Sequence, residues 1–154
     1  MSIINRPITG QETRPDTTSP YSALIDFYYA FNNQRGELIA DNWLQTAEAS
    51  MANPLGDIKR GWTEINGVYQ AIFNGPATVY VEFYNYEIVT SRNMFIAVGR
   101  EKGTFTVGNQ TVNLAIRTSR TYCLHNNLWR QVHHHGSIDN PDLLSTYQKT
   151  LLNK

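Results

Sequence analysis

The sequence predicts an α+β domain, with helices first and a long curved antiparallel sheet after them. Before residue 74 the apolar residues recur at helical spacing in separate blocks. Beyond residue 76 they fall in four long runs rich in Val, Tyr, Phe and Thr, broken by short Gly/Asn turns. Segregating the helices from the strands in this way places the helices on one face of a bent sheet.

Residues 1–18 are rich in Thr, Pro and Gly without a sustained period, and read as a mobile tail. Residues 19–154 read as a single domain. Ser19-Pro20 supplies an N-cap and a proline at the first helical position. Leu24, Phe27, Tyr28 and Phe31 follow at i, i+3, i+4 and i+7, an amphipathic helix. A second short helix is expected over 37–43 and a strand over 46–51, closed by the turn Asn53-Pro54-Leu55-Gly56. Trp62, Ile65, Tyr69 and Ile72 make one stripe of a third helix, which Asn74-Gly75-Pro76 ends, with Gly75 suited to a left-handed cap. Strands are expected over 77–90, 94–107, 110–125 and 128–138, with tight turns at Gly108-Asn109 and Asn126-Asn127. Pro141 opens a C-terminal helix carrying Leu143, Leu144, Tyr147 and Leu151.

Composition excludes several function classes. The chain has 154 residues and a formal charge of zero, so a nucleic-acid partner, which calls for a basic excess, is not expected. No apolar run approaches the roughly 20 residues of a membrane span, and residues 1–20 hold no apolar signal core, so a cytoplasmic location is expected. Cys123, the single cysteine, reads as a small buried hydrophobe. The zero charge conceals two unlike parts: residues 89–138 carry six basic side chains, one acid and all four histidines, and the remainder is acidic. Several strands are apolar on both faces, as where Tyr80, Tyr84 and Tyr86 alternate with Val79, Val81 and Phe83. A homodimer through the sheet is therefore expected.

The ending Trp129-Arg130-Gln131-Val132-His133-His134-His135-Gly136-Ser137, together with Arg117-Thr118-Ser119-Arg120 on the preceding strand, resembles the nuclear transport factor 2-like superfamily. It is most similar to that superfamily's SnoaL-like bacterial members and to the association domain of calcium/calmodulin-dependent kinase II. The resemblance implies a cone-shaped fold with a pocket between helices and sheet. Ketosteroid isomerase, an enzyme of this superfamily, carries its general base in a turn that corresponds to Ala52-Asn53-Pro54-Leu55-Gly56, which places Asn53 at the base position. An amide cannot take up that proton, so this chemistry lacks its base. The family's oxyanion-hole tyrosine corresponds to Tyr28, and its second acid to Ser119.

Strict alternation along the last strand places Trp129, Gln131, His133 and His135 on one face, which the resemblance points into the cone, with Arg117 and Ser119 inward on the neighbouring strand. An inward Arg117 beside two histidines suits a polar or carboxylate-type small molecule, since guanidinium grips carboxylate through two parallel hydrogen bonds. The expected ligand-binding set is Arg117, Tyr28, Asn53, Ser119, Trp129 and Gln131, with His133 and His135 as acid/base groups of an isomerase- or lyase-type reaction. Against this stands a structural network pairing Arg117 with Glu82 or Glu101. His134 is expected at the dimer seam. No metal or cofactor is assigned: His133 and His135 have the spacing of some metal ligands but no evident third partner. The alternative reading is a non-catalytic dimeric association module.

Overall fold

The computed structural model describes residues 2–152. Its elements are α1 (Pro20–Asn32), α2 (Gly36–Asn42), β1 (Ser50–Ala52), β2 (Lys59–Arg60), α3 (Trp62–Asn74), β3 (Thr78–Thr90), β4 (Met94–Val107), β5 (Gln110–His125), β6 (Leu128–Ser137) and α4 (Pro141–Leu152). The strands form one six-stranded sheet in the order β2-β1-β6-β5-β4-β3. The sheet is mixed rather than wholly antiparallel, because β1 pairs in parallel with β6, Met51 opposite His134.

Local signals account for most boundaries. Ser19 Oγ accepts the Ser22 N–H at 3.1 Å and Pro20 occupies the first turn of α1. Asn126 and Asn127 both take positive φ, 50° and 62°, in the β5–β6 turn, as a two-residue hairpin of this type requires. Gly75 ends α3 at φ −82° rather than in the left-handed region. Its role is steric, since a Cβ there would stand 2.7 Å from the Ala71 carbonyl oxygen.

Residues 2–18 are not a free tail. Ile4 and Ile8 make antiparallel bridges to Tyr86 and Phe83 along the β3 edge, and Ile8 is fully buried. Asn32 ties this segment down: its Nδ2 donates to the carbonyls of Thr9 and Val81 at 3.0 and 2.8 Å, and its Oδ1 accepts the Val81 N–H at 2.9 Å. At the other end the Trp129 indole N–H donates to the Thr18 carbonyl at 2.8 Å. Covering an edge strand in this way also hides its unpaired backbone groups.

The concave face of the sheet and the three N-terminal helices enclose an aromatic core. Phe27, Tyr28, Trp43, Tyr69, Phe83, Phe95, Phe105 and Tyr122 are all at most 3% exposed. Two bulges interrupt the sheet. In β3, Asn85 and Tyr86 stand opposite the single residue Gly99, with Asn85 at φ 50°. In β6, Val132 is the extra residue: Thr121 pairs with His133 but Tyr122 pairs with Gln131. There the Gln131 carbonyl accepts the Leu44 N–H at 2.9 Å, so the chain leaving α2 draws this part of β6 away from strict alternation.

Candidate functional site

The β6 bulge decides which polar groups enter the cone. On its N-terminal side Trp129 and Gln131 face inward, and on its C-terminal side His134 and Gly136 do. The expected inward set of His133 and His135 is corrected accordingly: both lie on the outer face, His135 exposed and His133 half-buried with Nδ1 2.7 Å from Ser50 Oγ. Arg117 and Ser119 are corrected with them. On β5 the buried residues are Leu114, Ile116, Thr118, Arg120 and Tyr122, so Arg117 and Ser119 point outward. That alternation was visible in the sequence, since the set containing Arg120 is the more apolar.

Arg120, 3% exposed, is the guanidinium inside the cone. Its Nη2 donates to Glu101 Oε1 at 2.9 Å, its Nη1 to Gln131 Oε1 at 2.9 Å and its Nε to Tyr28 Oη at 3.2 Å. The guanidinium carbon lies 3.6 Å from the centre of the Phe27 ring. Tyr28 in turn donates to Glu101 Oε1 at 2.7 Å. Asn42 extends the network: its Oδ1 accepts from Tyr122 at 2.8 Å and from Gln131 Nε2 at 3.4 Å. The internal acid of the structural alternative is thus Glu101, but its partner is Arg120, and Glu82 pairs instead with Lys102 at 3.5 Å. Burial holds the Tyr28 hydroxyl well above the ordinary phenol value and pushes Tyr69 up to about 12, so both stay protonated.

His134 is also inside the cone, not at a sheet surface; it is 7% exposed. Its Nδ1 lies 3.3 Å from the Ser119 carbonyl, which can only accept, so Nδ1 carries the proton. Burial, reinforced by the Arg120 charge, holds this imidazole well below its ordinary value. The ring is therefore neutral, with an unprotonated Nε2 beside Gly136. Gly136 makes room for it, since a Cβ there would stand 3.3 Å from Nε2.

Glu101, Arg120 and His134 line an interior cavity of 60 Å³, together with Asn53, Tyr69 and Tyr147. Outside it, between α3, the β1–β2 turn and α4, lies a groove of 690 Å³ walled by Leu55, Val68, Ile72, Val107 and Leu151. Asn53, Val68 and Ile72 line both spaces. α4 crosses this mouth, with Tyr147 edge-on to Phe105 at 5.5 Å and Gln148 Nε2 donating to the Pro54 carbonyl at 3.0 Å. Asn53 Oδ1 is occupied by the Leu55 N–H at 3.1 Å, an Asx turn that shapes the rim.

Of the expected ligand-binding set, the structure brings Tyr28 and Gln131 into the Arg120 network and Asn53 to the cavity wall. Trp129 stands on the inner face against Phe95, at 5.0 Å, but in a different cavity behind α1 and α2. Arg120, His134 and Asn42 are the interior groups that sequence reasoning missed, and Glu101 was considered only as a partner for Arg117. No cluster of three or more His, Cys, Asp or Glu with metal-binding geometry is found among the described residues. Among those residues no helix is long and apolar enough to cross a membrane.

The family model described as the SnoaL-like domain matches residues 22–141, which takes in nearly all of α1, then α2, α3, the whole sheet and the polar interior. The chain belongs to the SnoaL-like family. No curated protein matches it. Solved structures confirm the cone-shaped α+β fold of this SnoaL-like chain. A nuclear transport factor 2-like superfamily protein from Salmonella enterica serovar Typhimurium aligns with 75% of the chain and 84% of its own, at 21% identity and TM-score 0.68. A ketosteroid isomerase-like protein from Erwinia carotovora atroseptica aligns with 84% of the chain and all of its own (100%), at 18% identity and TM-score 0.68. A protein from Thiobacillus denitrificans, proposed to be a calcium/calmodulin-dependent kinase II association domain, aligns with 82% of the chain and 100% of its own, at 21% identity and TM-score 0.65. At such identities the likeness to these structures concerns the fold of the SnoaL-like domain, and its site must be argued from its own residues.

Proposed function

We propose that this SnoaL-like domain binds a small molecule with an apolar body and one polar or carboxylate-type head, and that proton transfer of an isomerase or lyase type runs through His134. The observation that carries the reading is that the apolar groove adjoins the polar cavity, the two sharing Asn53, Val68 and Ile72 in their walls. A ligand body along Leu55, Val68 and Val107 directs its head toward His134 and Arg120. His134 Nε2, unprotonated and on a residue that lines the cavity, is the proton acceptor that Asn53 cannot be.

The test is thermal unfolding against branched and aryl carboxylic acids and their matched alcohols. A bound acid raises the melting temperature with its concentration, and Val68→Trp, which fills the groove, abolishes the rise. His134→Gln retains the rise and loses exchange of the ligand's α-proton with deuterated solvent. An equal rise in the Val68→Trp variant refutes the site.

A second reading, association through the sheet with another copy of the chain, is favoured by exposed apolar side chains on its outer face, among them Met94 and Val98, 43% and 42% exposed. Light scattering at micromolar concentration tests it: a dimeric mass that falls to the monomer in Met94→Glu supports it, and a monomeric parent refutes it.

A further inference from the structure

The outer face of the sheet carries a second hollow that the interior site does not use. Two successive cross-strand rows build it. One runs Glu87, Val98, Ser119, His135, and the next runs Tyr84, Arg100, Arg117, Ser137. The β3 bulge at Asn85 and Tyr86 lies between the two rows, and the hollow has a volume of 350 Å³. Arg100 and Arg117 stand directly opposite each other. Like charges in that position weaken a strand pair. Arg100 reaches Asp139 at 3.7 Å, with both side chains nearly half exposed. Arg117 has no acid within ion-pair distance among the described residues; its Nε donates to Ser137 Oγ at 3.2 Å. Glu87 lines the hollow but is paired with neither arginine.

We propose that this hollow is a binding site for a dianionic oxyanion, the phosphate group of a phosphorylated small molecule. Two guanidinium groups facing one space meet the two charges of a dianion, and each presents parallel N–H donors to its oxygens. A single carboxylate would be met by Arg117 alone, since Arg100 already reaches Asp139, whereas a dianion engages both guanidinium groups. The Ser119 and Ser137 hydroxyls and the His135 ring line the same space and supply further hydrogen bonds. Val98 and Ile3 form an apolar wall for the rest of the molecule, and the volume exceeds that of a phosphate alone. A bound dianion turns the repulsion between the arginines into a shared attraction.

The test compares the full chain in sodium phosphate at pH about 8, where phosphate is dianionic, with sodium chloride at equal ionic strength. In the parent, phosphate raises the melting temperature saturably, and backbone amide shifts cluster at Arg100, Arg117, Ser119 and His135. Arg117→Gln and Arg100→Gln each weaken the apparent phosphate affinity by about tenfold or more, the loss expected for removing one charge-assisted pair of bonds. In chloride Arg117→Gln is at least as stable as the parent, because the opposed charge is gone and no ion pair is lost with it. Arg130→Gln, on β6 outside the hollow, keeps the phosphate response. The proposal is overturned by an unsaturable response in the parent, by an unchanged response in the Arg100→Gln/Arg117→Gln double variant, or by an Arg117→Gln variant that loses stability in chloride.

Discussion

Removing either member of the buried Arg120–Glu101 pair is predicted to have unequal consequences, and the inequality tests the account of the interior. Both side chains are about 95% buried, 4% and 6% exposed, and joined at 2.9 Å. Breaking a buried pair strands a charge and costs about 3–5 kcal/mol. For a chain of this size that is a fall of roughly 6–20 °C in melting temperature. Glu101→Gln keeps the shape but leaves Arg120 charged, and a guanidinium cannot shed its proton. Arg120→Met strands Glu101 instead and also removes the donors to Gln131 Oε1 and Tyr28 Oη, so its deficit is the larger. Replacing both together, Arg120→Met with Glu101→Leu, recovers most of the loss, because no charge remains to be desolvated. Urea unfolding of the three variants, with constant slopes, measures this. A loss below about 1 kcal/mol in Glu101→Gln, or a double variant as unstable as the sum of the singles, refutes the buried-pair reasoning.

Other outcomes follow from the same geometry. His134 is held neutral in the folded chain well below its ordinary value, so the unfolded chain binds more protons below pH about 6.5 and stability is lost as pH falls through that range. The loss approaches 1.36 kcal/mol per pH unit at its steepest, and His134→Gln flattens it apart from a smaller contribution in the same direction from His133. Ile8→Ala removes a fully buried side chain and costs about 2–5 kcal/mol in a urea melt, whereas a mobile tail would show no change. Gly103→Ala would drive a methyl group into the Tyr80 carbonyl across the β3–β4 ladder, a loss at or above the roughly 1–3 kcal/mol of an overpacked core, read by circular dichroism melting.

What the sequence determined by itself was set by contacts between near neighbours. The Ser19-Pro20 cap, the Leu24–Phe27–Tyr28–Phe31 stripe and the Asn126-Asn127 turn are local, so each was legible and stands as expected. The alternation of β5, which buries Arg120 and exposes Arg117, was legible too, in the more apolar set that contains Arg120. The β6 bulge was not legible, because Val132 is extra only relative to β5, and the Gln131 carbonyl is taken by Leu44, some 87 positions earlier in the chain. One unpaired residue reversed the facing of every side chain after it, which is the sensitivity that a two-residue period imposes. The same holds at the start of the chain, where Ile8 looks like any apolar residue in a polar tail until the β3 edge receives it. Local spacing thus determined the elements, and long-range register decided which of their polar groups meet inside the cone and which face out as paired arginines.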